Sequence, residues 1–313
     1  MLNVKERLRK FKIALSMVKE LKVSIADIVV RFISADPKSK FYLSPTYKDF
    51  IVQEGKPDVV LYVHRGSIPD FPEEELVFDS GSAWTFSRSG EKYIIRIIRR
   101  NISRTSELVA MDPEFRSGDI YIDEELFSPF IPLDYLFRLL MIFLVPLNEG
   151  IEIHACGIID NGKGMVFTGP SGFGKTTTAN LWNGTEGVKV LNDERIIIRK
   201  RGGRFWVYGT PWHGLGGFAL PDGAPLERIF FIRHAEENMI TPKSGAEAAS
   251  GILARVYFPS FDQFGLGHLL DICSQLASEV PCYELGFVPD ERVIDFIRTV
   301  SYTHLTLPTN REV

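Results

Sequence analysis

The sequence predicts a mixed α and β protein in two parts: a β-rich N-terminal domain, then a domain carrying a phosphate-binding loop on a mixed sheet. Three observations carry this. Residues 26–125 alternate short β-like runs with Asp, Gly, Ser and Pro clusters and hold no long helical period. Residues 169–176 read GPSGFGKT and fit GxxxxGK[ST] at every position. Beyond them, β-like runs continue and helical patterns follow at 243–256, 261–279 and 290–300.

The composition is that of a globular chain. The 313 residues are 45% apolar and 24% charged, with 23 Phe and 4 Trp available for a core. At roughly 150 residues per domain, that length suits two domains. Lys and Arg number 36 against 40 Asp and Glu, a net charge of −4. This excludes a generally basic, nucleic-acid-coating protein. Cys156, Cys273 and Cys282 form no CxxC pair, so a disulfide scaffold or zinc cluster is not indicated. The most apolar stretch, 139–147, is too short to cross a bilayer, and the N-terminus lacks a signal-peptide core. A cytoplasmic protein without a transmembrane segment is expected.

Residues 1–25 read as a basic amphipathic helix. Val4, Leu8, Phe11, Leu15 and Val18 recur at steps of four and three, and residues 1–22 hold seven Lys/Arg against two Glu. Such a helix either docks on the body or touches an acidic partner or membrane surface. Residues 26–130 form the β-rich domain, read as antiparallel. Its strand candidates are 26–34, 49–53, 58–66, 82–90, 92–100 and 106–112. A helix over 132–148 bridges to the second domain, 131–300. There, apolar runs at 151–160 and 164–169 flank Asn161-Gly162, a strong two-residue hairpin signal. Further strands are expected at 188–193, 195–200, 204–209 and 228–235. Residues 301–313 break the helical pattern with three Thr and a Pro, and are expected to be a non-native tail.

The loop carries the chemistry. Its glycines let backbone N–H groups converge on phosphate oxygens, and the helix that follows adds its positive N-terminal end. Gly169, Ser171, Gly172, Phe173, Gly174, Lys175, Thr176 and Thr177 form the expected cradle, with ATP as ligand. Lys175 would reach the β and γ phosphates, and Thr176 would ligate Mg²⁺. Asp193 lies 18 residues after Lys175 at a predicted strand end, with Glu194 beside it. A carboxylate there can hold Mg²⁺ or accept a proton from an attacking hydroxyl. The chain has no NKxD and no LSGGQ, and a hairpin rather than a helix precedes the loop. These features argue against GTPases and transporter ATPases.

The stretch IEIHACGIIDNGKGMVFTGPSGFGKTTTANLW, with VLNDERIII after it, resembles the catalytic domain of HPr kinase/phosphorylase, of the phosphoenolpyruvate-carboxykinase-like fold. The likeness covers about residues 150–235. His154, the loop 169–176 and Asp193-Glu194-Arg195 occupy the family's motif positions, with Glu194 where the family has a second Asp. A closer likeness is to HPr-kinase-like proteins of peptide-modification clusters, including lasso-peptide precursor kinases and the SynChlorMet cassette type. These share the length, a β-rich first half and a segment like YGTPWHG at 208–214.

The resemblance implies ATP- and Mg²⁺-dependent phosphorylation of a Ser or Thr hydroxyl on a peptide or protein. Asp193 would be the general base, with His154 orienting or tuning it. Lys175 would stabilise the transferring phosphoryl group, and Thr176 and Glu194 would hold Mg²⁺. A small-molecule kinase on the same fold and a non-catalytic ATP-binding module that recruits a precursor peptide remain as alternatives. Among weaker candidates, His213 either lines the acceptor site or belongs to a turn. Arg195 is expected to pair with an acid and Arg199, Lys200, Arg201 and Arg204 to form a solvated hairpin edge, while Arg233, after an apolar strand, could reach a phosphate.

Overall fold

The computed structural model describes residues 20–36, 40–81, 83–99, 102–127, 130–258 and 263–300. The fold is mixed α+β, dominated by two mixed sheets. The chain divides into two compact units, one of residues 1–148 with 258–266, the other of residues 149–257 with 267–313.

In the first unit the strands are β1 (Glu20–Ile25), β2 (Ile28–Ser34), β3 (Lys40–Tyr42), β4 (Val59–Gly66), β5 (Glu75–Asp79), β6 (Trp84–Ser89), β7 (Lys92–Arg99), β8 (Arg104–Met111), β9 (Ser117–Asp123) and β10 (Phe130–Pro132). Its helices are α1 (Glu124–Phe127) and α2 (Asp134–Leu147). The large sheet runs β1-β2-β4-β9-β8-β7-β6-β5, and β3 pairs with β10 apart from it. Two-residue alternation drives the pattern: Leu21, Val23 and Ile25 of β1 and Ile28, Val30 and Phe32 of β2 all face inward.

Three expectations are corrected here. Residues 20–25 are a strand, not the end of a helix, because Ala26 and Asp27 turn the chain with positive φ and set Ile25 opposite Ile28. The rest of the expected basic helix lies outside the described residues, as does the tail 301–313. The sheet is mixed rather than antiparallel. β2–β4 and β4–β9 are parallel, because the long connection after β2 returns the chain in the same direction. Residues 49–53 are not a strand. Pro45 opens a 3₁₀ turn to Phe50, and only Ile51 bridges, to Val23.

Helix α2 belongs to the first unit, so the boundary lies at Asn148 rather than near residue 130. Its aromatic residues decide this. Phe137 meets the ring of Phe32 edge-on at 5.3 Å and stacks on Tyr47, while Phe143 stacks on Phe86 and Phe115. Each fully buried Phe of this kind contributes roughly 1.5–3 kcal/mol.

The second unit holds β11 (Gly150–Asp160), β12 (Lys163–Thr168), β13 (Val188–Asn192), β14 (Arg195–Arg201), β15 (Arg204–Tyr208), β16 (Gly223–His234), β17 (Met239–Pro242) and β18 (Cys282–Phe287). Its helices are α3 (Lys175–Trp182), α4 (Gly245–Leu253), α5 (Gln263–Glu279, of which residues from 267 on belong to this unit) and α6 (Arg292–Val300). The predicted hairpin is present. Asp160 pairs with Lys163 across Asn161 and Gly162, both at positive φ, as a two-residue turn between twisted strands requires. Strand β12 then runs parallel to β16, and β16 parallel to β18. Phe167, Trp182, Phe230, Leu285, Ile294 and Ile297 form the core where α3 and α6 cover this sheet. All three cysteines are buried and unpaired, and burial raises each thiol above its ordinary range. No helix among the described residues is long and apolar enough to cross a membrane.

Candidate active site

The segment 169–174 links the end of β12 to the start of α3, so a strand, a glycine-rich loop and a helix follow one another directly. Gly174 has φ +103° and caps α3 without a side-chain acceptor. A Cβ there would stand 3.0 Å from the Phe287 ring, so glycine is required by conformation and by space. The first helical bond runs from Thr178 N to Gly174 O. The N–H groups of Lys175, Thr176 and Thr177 therefore have no intrahelical acceptor and suit an anion. The Lys175 ammonium donates to the carbonyls of Gly169 at 3.0 Å and Pro170 at 3.1 Å. Burial lowers its pKa below the ordinary lysine range.

Asp193 follows β13 and is 1% exposed. Its carboxylate accepts three hydrogen bonds. Thr176 Oγ1 and Gly216 N–H reach Oδ2 at 3.0 and 2.8 Å, and Gly214 N–H reaches Oδ1 at 3.0 Å. The two glycines come from the YGTPWHG segment and its continuation. A Cβ on either would lie 2.8 Å from Oδ2, so only glycine allows the backbone this close. Asn192 shapes the same turn. Its Oδ1 accepts from Glu194 N and Arg195 N, and its Nδ2 donates to Thr210 O.

His154, on β11, faces the same turn. Its Nδ1 lies 3.0 Å from the Glu194 carbonyl oxygen and 3.3 Å from Glu194 Oε1. A carbonyl only accepts, so the contact with Glu194 O calls for a hydrogen on Nδ1; the Tyr257 hydroxyl lies 3.2 Å from the same nitrogen. Burial, then the charge of Lys175, lowers the imidazole pKa below 6.5, outweighing the half-exposed Glu194 carboxylate. The surroundings thus favour the uncharged ring. Arg195 pairs with the buried Glu152 at 2.5 Å and lies 3.6 Å over the Tyr257 ring, which makes it an anchor of this wall.

Sequence reasoning missed Arg255. The segment after α4 lies along β11: Ile153 bridges Val256, His154 N donates to Arg255 O, and Tyr257 N donates to Glu152 O. This sets Arg255 and Tyr257 beside His154, Gly169 and Pro170 around a cavity of about 410 Å³. Arg255 Nη1 donates to Gly251 O, while its buried Nε has no hydrogen-bond partner. Its charge also reaches Lys175, where it lowers the pKa further. Two cations near one loop, Lys175 and Arg255, favour an anion. No single-sequence pattern marks Arg255, since its position depends on a bridge made about a hundred residues along the chain.

Thr176, Lys175, Asp193, His154 and Glu194 are thus brought together, as are Gly169, Gly174 and Thr177 along the loop. Phe173 is half-exposed, with its ring 5.7 Å from that of His234. The carboxylate that Thr176 touches is that of Asp193, while Glu194 turns to His154. Arg233 is held by Glu284 at 2.6 Å. His213 is exposed and bonds to Gly214 O, so what that segment brings to the site is the pair of glycine N–H groups. Lys200 pairs with Glu279, and Arg204 with Glu227, at the surface. No protein-family model matches the chain, and no curated protein matches it.

Proposed function

We propose that the chain is an ATP-dependent kinase that transfers the γ-phosphoryl group to a Ser or Thr hydroxyl of a peptide or protein. One observation carries the reading. A buried carboxylate, Asp193, is hydrogen-bonded to Thr176 in the first turn of the helix that a GxxxxGKT loop opens. Nucleotide binding alone does not need a base beside the phosphates, whereas transfer to a hydroxyl does.

In this reading the loop N–H groups, Lys175 and Arg255 bind the phosphates and offset charge on the group in flight. Asp193 takes the proton from the acceptor hydroxyl. The freed oxygen bonds to the γ phosphorus, and the bond to the β–γ bridging oxygen breaks, releasing ADP. The Gly214 and Gly216 N–H groups hold the carboxylate in one orientation for that step. His154 fixes the Glu194 turn on which Asp193 sits.

The residues fit Mg²⁺. The Thr176 hydroxyl and the Glu194 carboxylate would hold it, both hard oxygen donors, leaving Asp193 as the base. Among the described residues, no group of three His, Cys, Asp or Glu could hold a metal by itself. This suits an ion that keeps waters and phosphate oxygens as ligands. When bound, it would neutralise phosphate charge.

The test is transfer from labelled Mg²⁺-ATP to Ser-bearing peptides and to free hydroxyl metabolites, scored by mass spectrometry. Label on a peptide hydroxyl, lost in Asp193→Asn and in Lys175→Ala, supports the reading. Label on metabolites alone moves the acceptor to a small molecule. Tight nucleotide binding without transfer to either class overturns it.

A further inference from the structure

We propose that strand β5 is a docking edge for the peptide acceptor, taking an extended basic segment as an added strand. This rests on the reading of the acceptor as a peptide. Strand β5 ends the large sheet of the first unit and pairs with β6 on one side. An end strand offers a row of backbone groups to a further strand. The opposite end is closed: Val23 of β1 bridges Ile51, and Val52 N donates to Lys22 O. On β5, Leu76 is 60% and Val77 44% exposed, although both are apolar.

Charge names the occupant. Asp70, Glu73, Glu75 and Asp79 are exposed along the edge and its lead-in, and no Lys, Arg or His occurs from residue 67 to 79. Glu74 is taken by Arg96, and Arg88 across the register from Glu75 donates to Gly90 O. A second copy laid antiparallel on β5 would set acid against acid, which destabilises a strand pair. The chain's own basic N-terminal stretch repeats its apolar residues at three and four, not at the two that an added strand needs. An extended peptide alternating apolar and basic residues satisfies both demands. The shift at Val77 interrupts the ladder and limits the contact to a short run of residues.

The test uses the full chain and a fluorescein-labelled peptide alternating Val and Lys around one Ser, followed by anisotropy without nucleotide. Binding that weakens with salt, and about tenfold or more in both Val77→Pro and the triple variant Glu73→Lys/Glu75→Lys/Asp79→Lys, is expected. The triple variant should prefer the same peptide with Glu for Lys. Circular dichroism and nucleotide affinity, unchanged in both variants, report the fold. No binding by the native chain, or equal binding by native and variant chains, overturns the proposal. So does a dimer that Val77→Pro dissolves. Peptide bound by Lys175→Ala protein as by native, with no transfer by either native or variant, sinks the kinase reading alone. Transfer untouched by the β5 changes sinks the docking edge alone.

Discussion

Thr176 Oγ1 donates to Asp193 Oδ2 at 3.0 Å, joining the first turn of α3 to the end of β13. The hydroxyl expected to hold a metal and the carboxylate expected to take a proton therefore share one hydrogen bond. Replacing Asp193 by Asn keeps the shape but removes the base. Transfer should fall by about 10²–10⁴ with nucleotide affinity changed far less, measured as single-turnover rate against equilibrium binding.

Arg255 tests the part of the site that sequence reasoning missed. Arg255→Ala should lower the transfer rate by about 10²–10³, as loss of a charge-stabilising donor does. Arg255→Lys should restore little, because a lysine lacks the Nε donor and the planar fork. Full activity in either variant would remove Arg255 from the phosphate site.

Gly174 should tolerate no side chain. Its φ of +103° opposes Gly174→Ala, and so does the Phe287 ring, 3.0 Å from where the added Cβ would stand. A cost of about 1–3 kcal/mol is expected. It should appear as a lower midpoint in thermal unfolding and as weaker nucleotide binding. Gly172→Ala has open space at its Cβ position and should show only the conformational part of that cost.

Glu107 sits buried in β8, and burial raises its carboxyl to about 7, with the hydroxyl of Ser106 as a hydrogen-bond partner. The folded state binds this proton more tightly than the unfolded chain. Its contribution is therefore complete below about 4.5 and is lost as pH rises to about 7. Glu107→Gln should remove that slope and stabilise the protein at pH 8 by up to about 3 kcal/mol. Denaturant midpoints for the two proteins at pH 5 and pH 8 check this.

His154 has the opposite sign. Its folded pKa lies below 6.5, so the unfolded chain takes the proton first and stability falls as pH drops through 6.5. His154→Gln should flatten the unfolding midpoint over that range. A parallel fall in transfer rate, absent in the variant, would tie the neutral ring to the Glu194 turn.

Local rules made much of this legible. Asn161-Gly162 announces its hairpin because both residues tolerate positive φ, and the glycine spacing announces the loop between β12 and α3. The β1–β2 hairpin was hidden because Ala26-Asp27 is a poor dipeptide for the same turn geometry. Parallel pairing of β2, β4 and β9 was hidden because alternation marks a strand without naming its neighbour. Helix α2 reads as a bridge in sequence, yet Phe137 and Phe143 commit it to the first unit.

By itself the sequence determined the loop on which the proposed phosphate chemistry rests: glycines at fixed offsets, Lys175, Thr176, and Asp193 at a strand end. Those are short-range matters of backbone freedom and side-chain type. Only the tertiary structure decided what surrounds them. The Gly214 and Gly216 N–H groups on Asp193, the placing of His154 and the approach of Arg255 all join segments distant in sequence. Such contacts follow from strand pairing and core packing over the whole unit, where no local period or spacing records which residues will meet.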